Sequence, residues 1–203
     1  MKPIFEPLSQ IDAIPLVIPG DDIDTDQIIP AQFLTTTSRK GLGNKAFYAW
    51  RYDENGNAIP NHYLNISADK QARKLVLVGK NFGCGSSREH AAWALHDYGI
   101  RVIIGNGISD IFRNNALKNG MATIDVSSDV SDQLHKKLHQ NILVDLETCH
   151  IVPGTDEPIK FELDALSLEC LISGQDQLGK LMEHIPDRDK FEAKNALHFE
   201  ALI

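Results

Sequence analysis

Short apolar runs alternate with helix-like segments over the middle of the chain. Three continuous runs predict buried strands, at residues 74–80, 101–105 and 122–126. The segments that follow them predict helices, at residues 86–97, 109–119 and 130–139. Strands that alternate with helices in this way usually form a parallel sheet with right-handed crossovers. We therefore predict an α/β domain with a parallel sheet at its core.

The flanking regions add elements to this core. A short apolar run at residues 14–18 predicts one more strand, and residues 31–66 are rich in loop-forming residues. Two later runs, at residues 142–146 and 159–163, flank a turn signal at residues 153–154. This arrangement predicts an added β-hairpin.

The C-terminal part of the chain, from residue 164, has a mostly helical pattern. Its charged end, at residues 186–203, predicts a peripheral tail. Because no internal repeat interrupts the chain, we assign residues 1–203 to one domain. Long irregular segments usually carry function or bind a partner, so we expect residues 31–66 to line an active site or to meet a partner.

Composition narrows the class of protein. Hydrophobic residues make up 42% of the 203 residues, enough for a sizeable core, and the net charge is −8. An acidic chain is not expected to bind nucleic acid through a basic face. The three cysteines are widely spaced and form no CxxC pair, which supports neither a disulfide framework nor a metal site in this chain. No apolar run approaches the roughly 18 residues of a membrane span, so we expect a soluble cytoplasmic protein.

The glycine-rich segment after the first of the three strands carries the strongest chemical signal. Residues 79–90 have the sequence GKNFGCGSSREH. Its glycines allow the backbone to turn sharply and to approach a ligand closely. Ser86 and Glu89 have the spacing of a capping box, which predicts that a helix begins at Ser86. A strand, a glycine turn and a helix N-terminus together favour the binding of an anion.

Two interpretations remain open for the polar residues of this segment. Ser86 either only caps the helix or presents its hydroxyl to a ligand, where the helix terminus would stabilise a developing alkoxide. Arg88 is either a surface residue or a guanidinium that binds a carboxylate through two nitrogens. Cys84 lies between two glycines, and we interpret it as a small packing residue.

An acidic segment at residues 22–26 forms a second candidate. It begins like a calcium-binding loop, but Gln27 and Phe33 stand where an EF-hand needs glycine and glutamate. We therefore reject a calcium site. The segment either caps a turn or uses one aspartate to orient a base or an arginine.

Several blocks of the sequence resemble a known family, the swivelling domain of the aconitase-like hydro-lyases, and within it the small subunits of 3-isopropylmalate dehydratase. The resemblance extends over nearly the whole chain. The matching residues are Asp24-Thr25-Asp26-Gln27-Ile28-Ile29-Pro30-Ala31-Gln32-Phe33-Leu34, Arg39-x-Gly41-x-Gly43, Asn81-Phe82-Gly83-Cys84-Gly85-Ser86-Ser87-Arg88-Glu89-His90-Ala91-x-Trp93-Ala94-Leu95, Tyr98-Gly99, Asp110-Ile111-Phe112, Asn114-Asn115, Cys170 and Gly174-x-Asp176.

This resemblance implies a β/β/α swivelling domain that works beside a large subunit. The large subunit would hold a [4Fe-4S] cluster on its own cysteines, so that this chain would carry no cofactor. The implied reaction interconverts 2-isopropylmalate and 3-isopropylmalate through an alkene in leucine biosynthesis, with iron acting as a Lewis acid. The partners would be the large subunit and a small dicarboxylate substrate, without nucleic acid or membrane.

The resemblance also implies roles for individual residues. Ser86 matches the catalytic serine base, and Arg88 matches the arginine that holds a substrate carboxylate. Arg39 matches a second active-site arginine, which serves both catalysis and substrate binding, and Asp26 matches an active-site aspartate. Serine is a weak base in water, so its alkoxide-like state would need strong stabilisation.

The backbone amides of Gly85 and Ser87 are expected to contribute to the stabilisation of the Ser86 alkoxide.

The sequence departs from the family pattern at residues 106–109, 166–168 and 180–182. These departures leave two alternatives open. One is a related hydratase of citraconate or dimethylmalate, and the other is a non-catalytic anion-binding or scaffold subunit.

Overall fold

Eight strands form two sheets in the computed structural model, which describes residues 3–66 and 74–200. The strands are β1 (Gln10–Ala13), β2 (Leu16–Ile18), β3 (Leu75–Val78), β4 (Val102–Gly105), β5 (Ala122–Asp125), β6 (Ile142–Asp145), β7 (His150–Pro153) and β8 (Ile159–Lys160). The helices of the described ranges are α1 (Thr25–Ile28), α2 (Tyr48–Arg51), α3 (Tyr63–Ile66), α4 (Glu89–Tyr98), α5 (Asp110–Lys118), α6 (Ser128–His135), α7 (Ala165–Ser173), α8 (Gln177–Glu183) and α9 (Ile185–Glu200). Short 3₁₀ turns occur at Ala31–Phe33 and Leu42–Lys45.

The parallel sheet predicted from the sequence is confirmed, with strand order β2-β3-β4-β5. All four residues of β3 and all four of β4 are buried. The reason is that both faces of the sheet are covered. Val76 and Val78 pack in a core with residues of α4 and α5, whereas Leu75 and Leu77 pack in a second core with residues of the other sheet. The result is a β/β/α arrangement, as the resemblance implied.

The second sheet differs from the predicted hairpin. We expected residues 142–146 to pair with residues 159–163, but β7 lies between them, and the strand order is β1-β6-β7-β8 with antiparallel pairing. β7 is short and ends at Pro153, so its sequence resembled part of a turn. Its buried positions, Ile151 and Pro153, alternate with half-buried ones, which is the period of a strand.

The start of the chain also differs in detail. The predicted strand at residues 14–18 begins at Leu16, because residues 14–15 connect β1 to β2 and so lead the chain from one sheet to the other. The sequence patterns did not reveal β1, which pairs with β6.

Residues 31–66 contain short helical turns joined by loops, and the chain from α7 onward is helical. The described side chains of α9 are mostly exposed. Among the described residues, no helix is both long and apolar enough to cross a bilayer.

The loop that carries Arg39 is fixed to α4 by a close backbone contact at Gly43. The N–H groups of Gly41 and Gly43 donate to Asp97 Oδ2, at 2.9 and 2.8 Å. A Cβ added at Gly43 would lie 2.4 Å from the backbone nitrogen of Tyr98. Only glycine therefore fits at this contact.

We expect Gly43→Ala to lower the free energy of unfolding by about 1–3 kcal/mol, because rigid backbone would have to move. Urea denaturation of the full chain measures this change. Gly179→Ala is the matched control, since its added Cβ would meet mainly the far end of the Gln175 side chain. Equal stability of the Gly43→Ala variant and the native chain would show that the contact is not restrictive.

Candidate active site

The glycine-rich loop between β3 and α4 takes its shape from two glycines with positive φ. Gly83 has φ 76° and Gly85 has φ 85°, values that residues with side chains rarely adopt. Gly83 also lies against Phe112, because an added Cβ would come within 2.4 Å of that ring. Gly83 is buried, whereas Gly85, Ser86 and Ser87 are exposed.

Backbone hydrogen bonds hold the loop against the acidic segment that follows β2. The N–H of Gly83 donates to the carbonyl of Ile23 at 2.7 Å, and the N–H of Thr25 donates to the carbonyl of Cys84 at 3.0 Å. The hydroxyl of Thr25 donates to the carbonyl of Ser86, also at 3.0 Å. Two segments about 60 residues apart in sequence therefore form one surface.

The predicted capping box at Ser86 is wrong. Helix α4 begins at Glu89, with Arg88 in extended conformation at the N-cap position and no side-chain cap. The carbonyl of Ser86 is held by Thr25, which keeps this part of the loop outside the helix. The Glu89 carboxylate instead accepts a hydrogen bond from Trp93 Nε1 at 3.1 Å.

The Ser86 hydroxyl consequently does not cap a helix. Ser86 is exposed, and no described residue forms a hydrogen bond with its hydroxyl. Of the two interpretations drawn from the sequence, capping is excluded. The hydroxyl is open to a molecule that approaches from solvent.

A true capping box occurs at α1 instead. The N–H of Gln27 donates to Asp24 Oδ1 at 2.8 Å, and the N–H of Asp24 donates to Gln27 Oε1 at 2.9 Å. This box directs Asp26, the next residue of the acidic segment, outward to solvent.

Asp26 and Arg88 meet in an ion pair that joins the two segments. Arg88 Nη1 contacts Asp26 Oδ1 directly. The side chain of Arg88 is 18% exposed and that of Asp26 is 52% exposed, so the guanidinium is the more enclosed partner. The structure thus brings together two of the residues that the sequence suggested for the site. Two interpretations were left open for the acidic segment, and each applies to a different residue. Asp24 caps α1, and Asp26 contacts an arginine.

Arg39 lies along the beginning of α4 rather than in contact with Ser86. Its Nη2 is 3.8 Å from Glu89 Oε1, and its Cζ is 5.1 Å from the centroid of the Trp93 ring. Its side chain is 59% exposed. Arg39 therefore lies near the site with a weak, solvent-exposed partner, whereas Arg88 is held more firmly.

The sequence analysis assigned no role to Thr25 or Trp93, and it assigned Glu89 only a role in the capping box. Thr25 was visible as part of the Asp-Thr-Asp block, but its hydrogen bond spans 61 residues and has no local signal. Glu89 and Trp93 are four residues apart on one helix face, a spacing that allows contact.

Three surface cavities occur in the described part of the chain. One of about 300 Å³ is lined by Arg39 and Trp93 together with Ile4 and Phe5. Another, of about 380 Å³, lies against α5 and α7, and a third, of about 450 Å³, lies against α6. Ser86 lines none of these three cavities.

Side chains that could ligate a metal are dispersed over the described part of the chain. Within residues 3–66 and 74–200, no three His, Cys, Asp or Glu side chains are grouped so as to hold a metal ion. Cys84, Cys149 and Cys170 are all free thiols. An iron–sulfur cluster needs a set of cysteine ligands, and this part of the chain does not provide one.

Cys84 is half-buried under the loop, and its surroundings disfavour the thiolate. Burial raises the pKa of the Cys84 thiol, and the nearby carboxylates of Asp24 and Asp22 raise it further. A thiol that stays protonated is a poor nucleophile. This supports the interpretation of Cys84 as a packing residue.

We expect Cys84 to react slowly with iodoacetamide near pH 8.5, and the midpoint of its rate–pH profile to lie above that of a free thiol. The sign follows from burial and like charge, which both stabilise the neutral form. Mass spectrometry of labelled peptides measures the rate, with the urea-unfolded chain as the reference. A midpoint at or below the free-thiol value would contradict the assignment.

Comparison with known proteins gives a consistent result. Residues 15–129 match the Aconitase C-terminal domain family. The 3-isopropylmalate dehydratase small subunit of Roseiflexus castenholzii is 39% identical over 198 residues, covering 96% of this chain and 95% of that protein. The same subunit of Rhizobium etli is 45% identical over 183 residues, covering 88% and 90%.

A solved structure agrees with these relatives. The crystal structure of 3-isopropylmalate dehydratase from Methanocaldococcus jannaschii matches with a TM-score of 0.62 and 27% identity, covering 92% of this chain and 99% of that one. The loop, the ion pair and the two-sheet fold thus occur in a chain that matches these proteins over most of its length. The chain belongs to the family of 3-isopropylmalate dehydratase small subunits.

Proposed function

We propose that this chain supplies the serine base and the carboxylate-binding groups of a heteromeric hydro-lyase. The reaction is the interconversion of 2-isopropylmalate and 3-isopropylmalate through 2-isopropylmaleate in leucine biosynthesis. The observation that supports this most directly is the exposed Ser86 hydroxyl, free of any cap, two residues from a firmly held arginine. The relatives that are named for this reaction support the choice of substrate.

Ser86 is the group that accepts a proton from a substrate carbon. A serine can act as a base only if the resulting negative charge is stabilised. The N–H groups of Gly85 and Ser87 have no acceptor among the described residues and are available for this purpose. Closure against a large subunit would exclude water and strengthen each of these interactions.

The two arginines fit a substrate with two carboxylates. Arg88 is already oriented by Asp26, which balances its charge until a substrate carboxylate arrives. Arg39 pairs with Glu89 only at 3.8 Å and in solvent, and such pairs contribute little to stability. Arg39 is therefore free to exchange Glu89 for a substrate carboxylate at small cost.

We place the [4Fe-4S] cluster on the large subunit, because the described part of this chain lacks a set of ligands for it. When bound there, the cluster would supply a Lewis acid for the substrate hydroxyl and a carboxylate. We also propose a cytoplasmic location, since the three free cysteines are typical of a reducing compartment.

The decisive experiment is activity in a complex reconstituted with the cognate large subunit. The chain alone is expected to be inactive, and the complex is expected to show a higher kcat/KM for isopropylmalate than for citraconate or dimethylmalate. In the complex, Ser86→Ala is expected to lower kcat at least about 100-fold, because general bases contribute about 10²–10⁴-fold. Since Ser86 caps no helix, the free energy of unfolding should change by less than about 0.5 kcal/mol.

Ser9→Ala serves as the control, because Ser9 is also exposed but belongs to the segment before β1. Wild-type kcat in the Ser86→Ala complex would exclude Ser86 as the base and favour a scaffold role. Full activity of the isolated chain would exclude a shared active site. A preference for citraconate or dimethylmalate would reassign the substrate.

Arg88→Lys is expected to raise KM by about 10- to 100-fold, because a lysine cannot form the two parallel hydrogen bonds of a guanidinium with a carboxylate. Steady-state kinetics of the complex measures KM and kcat separately. Arg188→Lys is the control, since Arg188 pairs with Asp189 on the exposed helix α9. An unchanged KM would remove Arg88 from substrate binding.

A further inference from the structure

Thr25 is a buried polar residue beside the candidate base. It is 2% exposed and occupies the first position of α1. Its N–H and its hydroxyl bind two carbonyls of the glycine-rich loop, those of Cys84 and Ser86. Both groups of one residue are therefore committed to the same loop.

The side chain of Thr25 adds a second hydrogen bond with the loop to the one that its backbone N–H makes. After Thr25, the chain turns into α1, where the N–H of Gln27 donates to Asp24 Oδ1 and that of Ile28 donates to the carbonyl of Asp24. No backbone N–H of α1 is the donor to the carbonyl of Ser86. The hydroxyl of Thr25 supplies that donor.

This hydrogen bond fixes the direction of a peptide group. The peptide between Ser86 and Ser87 is planar and trans, so its N–H points opposite to its carbonyl. Because the carbonyl is directed at Thr25, the N–H of Ser87 is directed away from α1. Ser87 is exposed, and its N–H has no acceptor among the described residues.

We propose that Thr25 is a positioning residue that orients the Ser86–Ser87 peptide and so aims the Ser87 N–H at the negative charge developing beside Ser86. This inference rests on the proposed function, in which Ser86 is the base. Gly85 makes such a constraint necessary, because its freedom in φ lets the preceding turn adopt other conformations. A donor that is held in place before the reaction stabilises charge without reorganisation.

Threonine suits this role for a physical reason. Its branched Cβ restricts χ1, which holds the hydroxyl in one direction. Valine has nearly the same shape but no donor, and serine keeps the donor without the branch. These two replacements separate the hydrogen bond from the packing.

The test uses the reconstituted complex. Thr25→Val is expected to lower kcat at least about tenfold with a smaller change in KM, because the Ser87 N–H would no longer be held towards the developing charge, and loss of one such donor typically costs more than this. Thr25→Ser is expected to recover most of the loss. Affinity for the large subunit is expected to stay within about twofold of wild type. Thr123→Val is the matched control, because Thr123 is also buried, at 5% exposure, but lies on β5.

Further variants make the test decisive. In a Ser86→Ala background, Thr25→Val is expected to reduce kcat by a smaller factor than in the wild type, because both residues act on one charge. A purely structural role would reduce kcat by the same factor in both backgrounds. Thr25→Ala is made in parallel, so that one folded variant without the hydroxyl is available if Thr25→Val does not fold.

Wild-type kcat in a folded Thr25→Val or Thr25→Ala complex would overturn the inference, as would equal impairment of Thr25→Ser and Thr25→Val. If Ser86→Ala loses activity while Thr25→Val keeps it, only the role of Thr25 fails. If Ser86→Ala itself keeps wild-type activity, the proposed base fails first, and the inference fails with it.

Discussion

The docking of the acidic segment after β2 onto the glycine-rich loop after β3 is the interaction on which the site depends. β2 and β3 are adjacent parallel strands, with Ile18 opposite Val78, so the segments that follow them emerge at the same edge of the sheet. Parallel strands commonly place ligand sites at this edge. Three hydrogen bonds, donated by Gly83 and Thr25, then fix the two segments against each other. They hold the loop that carries Ser86 and Arg88 next to the acidic segment.

Charge is distributed over this arrangement so that the cations have partners before a ligand arrives. The chain is acidic overall, with a net charge of −8, yet Arg88 and Arg39 each face one carboxylate near the loop. The two pairs differ in exposure, since Arg88 is largely enclosed and Arg39 is not. In the proposed reaction, Arg88 would act as the fixed contact for one substrate carboxylate. Arg39 would act as the adjustable contact for the other.

The layers behind the site have a supporting role. Residues 15–129, which match the aconitase C-terminal domain, contain the parallel sheet and both loops. The four strands of the antiparallel sheet lie outside this range, and the sheet packs against Leu75 and Leu77 on the rear face of β3. Helices α4 and α5 bury Val76 and Val78 on the front face. The strand that leads into the glycine-rich loop is thus held on both sides, which keeps the loop at a constant position.

The sequence by itself determined the parallel sheet, because uninterrupted apolar runs need burial on both faces. It also supplied the candidate residues of the proposed site, because they stand in long specific blocks. Only the tertiary structure decided where α4 begins. A capping box contributes about 1 kcal/mol and is a local signal, whereas the Thr25–Ser86 hydrogen bond joins residues 61 positions apart and holds Ser86 outside the helix. The same reason applies to the strand inserted at β7 and to the pairing of Arg39 with Glu89. Strand neighbours and ion pairs depend on distances in space, which local sequence patterns do not encode.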